Sequence, residues 1–140
     1  MRQILLFAAL AASLALLSGC ALSKAKEDKA EDMTGKAAYH KISAEEAYEM
    51  MASQEVVVVD VRTREEYDGG HIENAVLVPN ESIGSEMPET PPDKEATLLI
   101  YCRSGRRSKD AAQKLLALGY QSVYDFGGVI DWPYELVKEG

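Results

Sequence analysis

Beyond residue 38 the apolar positions fall into short blocks separated by polar residues, glycines and prolines. Four consecutive valines, Val56 to Val59, and the run Thr97-Leu98-Leu99-Ile100-Tyr101 are apolar at every position, the pattern of strands covered on both faces of a parallel sheet. Shorter runs at 39–42, 76–78 and 120–124 predict three more strands, the second of them closed by Pro79. Between these blocks the pattern becomes helical. Ser43 and Glu46 form a capping box that predicts a helix to about Ser53, with Tyr48 and Met51 facing the core. Thr63 and Glu66 form a second box, for a short helix stopped by Gly69-Gly70. Residues 108–118 predict an amphipathic helix ended by Gly119. One helical turn at 81–87, a rigid exposed connection at 88–93 and a closing helix that follows Asp125-Phe126-Gly127-Gly128 and holds Trp132 and Pro133 complete the expectation. Alternating strands and helices joined by short connections predict an α/β fold, a parallel sheet with helices on both faces. The pattern does not determine the strand order.

The first 38 residues read differently. Residues 4–17 are apolar except for Ser13 and follow the cationic Arg2. This run is too short for a comfortable membrane span and predicts the apolar region of an export signal. Its end, Leu17-Ser18-Gly19-Cys20, resembles a bacterial lipoprotein processing site. That resemblance implies a signal peptide at 1–19, lipid such as palmitate on Cys20, and a domain anchored to the extracytoplasmic face of the cell membrane. Residues 21–38 mix lysines and acids with alanines, without an apolar face, and cannot bury enough surface to fold. Together with Cys20 they predict a flexible tether over 20–38, holding a globular domain at 39–140 roughly 20–25 Å from the bilayer.

Charge narrows the function. The chain carries 15 Lys and Arg against 23 Asp and Glu, a net charge of −8, which argues against a nucleic-acid partner. Against that background Arg103, Arg106, Arg107 and Lys109 form a local basic cluster suited to a small anion. The cluster follows Cys102, the one cysteine of the globular part, at the seam between a strand and a helix. The first amides of a helix have no intrahelical partner, and the helix dipole adds partial positive charge there. Such surroundings lower a cysteine pKa from ~8.5 into the range of about 3.5–7.5. Gly105 lets the loop curl with its amides inward, as an anion nest requires. The bland alternative is a buried, inert cysteine, but such a position gives no reason for three arginines and a glycine to follow. Asp60 and Arg62 close the valine strand and fall at the same rim as Cys102. Asp60 is expected either to pair with a loop arginine or loop amides, or simply to cap its strand. His40 and His71 are expected to be structural. No His, Cys and carboxylate set has metal-ligand spacing.

These residues resemble the rhodanese (thiosulfate sulfurtransferase) family. Cys102-Arg103-Ser104-Gly105-Arg106-Arg107 is similar to that family's six-residue active loop, Cys-Arg-x-Gly-x-(Arg or Thr). The likeness runs over about residues 39–137. It takes in Asp60-Val61-Arg62 with Glu66-Tyr67, Gly70-His71-Ile72 with Ala75 and Pro79, and Gly127-Gly128 with Trp132. Asn74 stands where the family usually shows glycine, and asparagine tolerates left-handed backbone nearly as well. The resemblance implies a five-stranded rhodanese-like sheet and a single-domain sulfurtransferase acting through a cysteine persulfide. Cys102 would be the nucleophile. Arg103, Ser104, Gly105, Arg106 and Arg107 would bind a small anionic sulfur donor such as thiosulfate, with Asp60 and Arg62 in support. The acceptor would be a thiol or cyanide, and no cofactor is implied. A phosphatase or arsenate reductase also uses a cysteine in an anion cup. Those loops place five residues between Cys and Arg, however, where four separate Cys102 from Arg107. A non-enzymatic sulfur carrier or binding module is the remaining alternative.

Overall fold

The computed structural model describes residues 37–84, 91 and 93–138. The expected export signal, Cys20 and the tether up to residue 36 lie outside the described residues, as do most of the 88–93 connection and the latter part of the 81–87 turn.

Among the described residues five strands form one sheet: β1 (Ala38–Lys41), β2 (Val57–Asp60), β3 (Val76–Leu77), β4 (Thr97–Cys102) and β5 (Ser122–Gly128). Every pairing is parallel and the order is β1-β5-β4-β2-β3. Three helices connect them: α1 (Ala44–Ser53), α2 (Arg64–Asp68) and α3 (Arg106–Ala117). Both expected capping boxes form. Ser43 exchanges hydrogen bonds with Glu46 at 2.8 and 3.1 Å, and Thr63 with Glu66 at 3.1 and 3.2 Å.

Alternation along β4 sorts its side chains between two cores, because successive residues of a strand point to opposite faces. Leu98, Ile100 and Cys102 face the side covered by α3, where they join Val59, Val61, Ala111, Ala112 and Leu115. Leu99 and Tyr101 face the side covered by α1 and α2, with Val58, Ala47, Tyr67 and Phe126. The continuous apolar run is thus explained: each face of the central strand is covered by a different helix layer.

The strand order fixes where a ligand sits. From β2 the chain leaves through α2 toward β3, and from β4 it leaves through α3 toward β5 on the opposite face. Connections that part in this way open a crevice beyond the carboxyl ends of the two strands, the usual ligand position of open α/β sheets.

Four local expectations differ from the structure. Tyr48 does not face the core: α1 buries Ala44 and Ala47 instead, and Tyr48 stacks on Tyr134 at 3.9 Å between ring centroids, on the surface. The last strand does not stop at Tyr124; it continues to Gly128, because Asp125 pairs with Lys41 of β1 and Ile100 of β4 and, past an irregularity in the register, Gly128 pairs with Cys102. Among the described residues no closing helix forms. Val129–Asp131 is a single 3-10 turn that ends at Trp132, and the next residue, Pro133, has no amide with which to extend it. Helix α3 also starts two residues early, at Arg106, so the basic residues of the loop form its first turn.

Candidate active site

Cys102 ends β4, and Arg103, Ser104 and Gly105 carry the chain directly into α3. Gly105 makes this tight entry possible: its φ of 99° is backbone that L side chains rarely adopt. Its amide donates to the Cys102 sulfur at 3.0 Å. Two more glycines shape the cup from below. Gly127 has φ 91°, and a Cβ on Gly128 would overlap the Arg103 carbonyl and crowd Ser104, so β5 can pass under the loop only as glycine.

The electrostatics of the thiol follow from this packing. Cys102 is 1% exposed, and that burial pushes its pKa up. The backbone amides of Ser108, Gly105 and Ser104 more than reverse the effect and hold the thiol below its ordinary range. The thiolate is therefore stabilised chiefly by backbone donors of the loop and the first turn of α3. The guanidinium groups stand further out. Arg103, Ser104 and Arg106 are exposed at the rim. Arg107 gives both terminal nitrogens to Glu66, each at 2.7 Å, which holds the Glu66 carboxyl down at about 2 and ties α3 to α2 across the crevice.

A cavity of about 380 Å³ opens beside the loop, lined by Arg62, Glu66 and Arg103 on its polar side and by Val129, Ile130 and Leu136 on its apolar side. The Arg103 carbonyl accepts from the Ile130 amide at 3.3 Å, which sets the exposed Ile130 side chain at the edge of the loop.

Residues 43–133 match the rhodanese-like domain family. The chain belongs to that family. Among similar proteins of known structure, an Escherichia coli protein described as "rhodanese with anions" is 32% identical, with a TM-score of 0.54, covering 59% of this chain and 98% of that one. A human single-domain sulfurtransferase is 29% identical, with a TM-score of 0.55, covering 63% of this chain and 88% of that one. A tRNA uridine(34) hydroxylase of Yersinia pestis (strain Pestoides F) is 30% identical over 106 residues, 72% of this chain. The match spans only 30% of that hydroxylase's length.

Within this rhodanese-like domain the sequence-predicted residues divide into groups. Cys102 and Arg103 to Arg107 form one loop and helix start, as their adjacency requires. Asp60 and Arg62 lie at the same end of the sheet but are engaged with each other. Asp60 accepts from Arg62 Nε at 2.9 and 3.0 Å, from its Nη2 at 2.6 Å and from the Arg62 amide at 2.9 Å. The Tyr101 hydroxyl donates to Asp60 at 2.6 Å and itself accepts from the Ile72 amide at 3.1 Å. Asp60 thus pairs with neither a loop arginine nor the loop amides, because the chain supplies a closer cation two residues away. Arg62 passes the contact on to the Gly70 carbonyl at 2.8 Å, fixing the turn that follows α2. His71 is buried, with its ring stacked on Tyr67 at 3.7 Å and its backbone paired with Val137. Asn74 adopts φ 62°, the left-handed conformation that asparagine tolerates.

Sequence reasoning missed Asp125, Ser108 and Glu66 as residues of the site. Asp125 is 1% exposed and Ser108 is fully buried, and their 2.7 Å hydrogen bond joins β5 to α3 directly behind the loop. A carboxylate set between Tyr124 and Phe126 was the available signal. The two glycines that follow it point instead to a turn.

Proposed function

We propose that this domain is a sulfurtransferase that carries a sulfane sulfur on Cys102. The observation that carries the reading is the seat of the Cys102 sulfur, 3.0 Å from the Gly105 amide and in a nest of donors that favours its anion. The E. coli neighbour described with anions and the human sulfurtransferase support the choice of chemistry.

In the first half-reaction the Cys102 thiolate attacks the outer sulfur of a donor such as thiosulfate. A bond forms between the two sulfurs, the donor's own sulfur–sulfur bond breaks, and sulfite leaves with the electron pair. Cys102 is left as a persulfide anion. Its charge equals that of the thiolate it replaces, so the same amides stabilise both states. In the second half-reaction cyanide or a thiolate attacks the outer sulfur and takes it, returning Cys102 as thiolate. Double displacement of this kind gives ping-pong kinetics. Arg103 and Arg106, exposed at the rim, suit recognition of the donor's oxyanion, since a planar guanidinium binds such groups through two bonds. Arg107 contributes in another way, bracing α3 against α2 through Glu66.

Mass spectrometry after thiosulfate treatment tests the reading. A gain of one sulfur at Cys102, removed by cyanide as thiocyanate and absent in Cys102→Ser, is the expected result. No adduct would leave a binding module of the same fold. Turnover of an aryl phosphate without thiocyanate formation would favour the phosphatase reading instead.

The proposal extends to location. The apolar run at 4–17 and the Leu17-Ser18-Gly19-Cys20 site support an exported domain held to a membrane by lipid on Cys20. Partition of the mature protein into detergent, with lipid mass on Cys20, is the expected outcome; a water-soluble protein without added mass would rule it out.

A further inference from the structure

The strongest polar network not used by the proposed reaction is built around Asp125. Four groups from three elements converge on its carboxylate. The Ser108 hydroxyl of α3 donates to Oδ1 at 2.7 Å, and the Gly127 amide donates to the same oxygen at 2.9 Å. The Tyr39 hydroxyl of β1 donates to Oδ2 at 2.9 Å, and Lys41 of β1 lies 3.4 Å from Oδ1. Ser108 has two further acceptors in reach, the carbonyls of Gly105 at 3.0 Å and Gly127 at 3.3 Å. A hydroxyl has one proton, and the charged, closest acceptor takes it. Asp125 therefore pins Ser108, the third residue of α3, whose hydroxyl also lies 3.0 Å from the carbonyl of Gly105, the residue whose amide donates to the Cys102 sulfur at 3.0 Å.

We propose that Asp125 is a positioning residue for the Cys102 thiolate: through the Ser108 hydroxyl it holds the first turn of α3 under the sulfur, and β1 holds Asp125 in place through Tyr39 and Lys41. The reactive loop is then linked, by way of one buried carboxylate, to the strand at the far edge of the sheet. The effect is geometric and not coulombic. A negative charge near a thiolate opposes ionisation, so Asp125 serves the thiolate only by aiming donors at it. Of the other charged groups near the loop, Arg107 of α3 interacts with the sulfur electrostatically and has Glu66 of α2 as its partner, Arg103 and Arg106 are exposed at the rim, and Asp60 and Arg62 pair with each other past the end of β2.

The inference rests on Cys102 being the nucleophile, but its test does not depend on sulfur transfer. The measurement is the pH dependence of iodoacetamide alkylation in the full chain, followed by mass on the peptide containing Cys102. Asp125→Ala is expected to raise the midpoint by about one pH unit, which makes alkylation roughly tenfold slower below it. Asp125→Asn keeps an oxygen for Ser108 and Gly127, and is expected to stay within about twofold of the unsubstituted protein or to react faster. Ser108→Ala breaks the same contact from the other side and is expected to slow alkylation comparably. In that background a further Asp125→Ala is expected to add little, the signature of residues acting as one unit.

An unchanged midpoint in Asp125→Ala would overturn the proposal. So would equal slowing in Asp125→Ala and Asp125→Asn, because the oxygen that Asp125→Asn keeps for Ser108 and Gly127 would then not be what holds the donors at the sulfur. If Asp125→Ala does not fold, Ser108→Ala decides alone, and an unshifted profile in that variant refutes the assignment. Should the persulfide adduct fail to form while these profiles still move, the sulfur-transfer reading falls and the positioning role stands.

Discussion

Two buried aspartates near the active loop satisfy their charge in opposite ways. Asp60 is neutralised locally by Arg62, two residues along the chain, and the pair is 6% and 0% exposed at the side chains. Its remaining contact, with Tyr101, leads away from the loop to the Ile72 amide. Asp125 draws on β1, the Gly127 turn and α3, and its one cation, Lys41, is half exposed. A carboxylate with a nearby dedicated partner is a structural unit complete in itself. One assembled from separate elements transmits the placement of each to the others. Asp60 therefore anchors the fold at the crevice, while Asp125 sets the thiol.

The largest effect that would test this contrast is Asp60→Ala. It strands the buried Arg62 guanidinium without its carboxylate, and loss of one partner of a buried pair costs about 3–5 kcal/mol. Urea unfolding is expected to show that loss while the alkylation midpoint of Cys102 stays where it was. A shifted midpoint would break the division of labour. Gly128→Ala acts on the loop directly, since its Cβ would overlap the Arg103 carbonyl and neither backbone can yield cheaply. Forced overpacking of this kind costs about 1–3 kcal/mol, and here the expected loss of thiol reactivity exceeds the loss of stability. Tyr39→Phe removes one hydrogen bond from Asp125, for an expected destabilisation of about 0.5–1.5 kcal/mol. A small rise in the alkylation midpoint should accompany it, which the corresponding loss at Asp60, Tyr101→Phe, should not produce.

The smallest effect concerns Glu66. Its carboxyl is held at about 2, first by the Arg107 hydrogen bonds, below its usual 4.5. A lowered folded-state value means that the stabilisation is present above about pH 4.5 and is lost as pH falls toward 2. The pair is partly exposed, so solvent screening limits its worth to roughly 0.5–1 kcal/mol. Glu66→Gln is expected to flatten that part of the acid stability profile and to leave stability at pH 7 lower by the same amount.

Much of this was readable in the residues. The blocks of apolar positions placed all five strands, because each strand is covered on at least one face and the burden falls on Val, Leu, Ile and Tyr. Both capping boxes were legible because the hydrogen bonds are made within four residues. The thiol and its glycine were legible for the same reason: a strand-to-helix loop of three residues brings its own helix amides to the cysteine. Tyr48 misled because an aromatic ring on a helix reads as core, and only the C-terminal segment supplied Tyr134 and Trp132 to cover it on the surface.

The amino-acid order by itself determined the α/β class, the starts of α1 and α2, and a cysteine seated at a helix N-terminus with arginines beyond it. All of these rest on interactions between residues a few positions apart. Tertiary structure alone decided that β5 runs beneath the loop, that Arg107 belongs to Glu66, that Asp60 keeps to Arg62, and that Asp125 reaches Ser108. Except for the Asp60 pair, these contacts join residues 17 to 41 positions apart. Local periodicity carries no information about which distant groups the strand order will bring together.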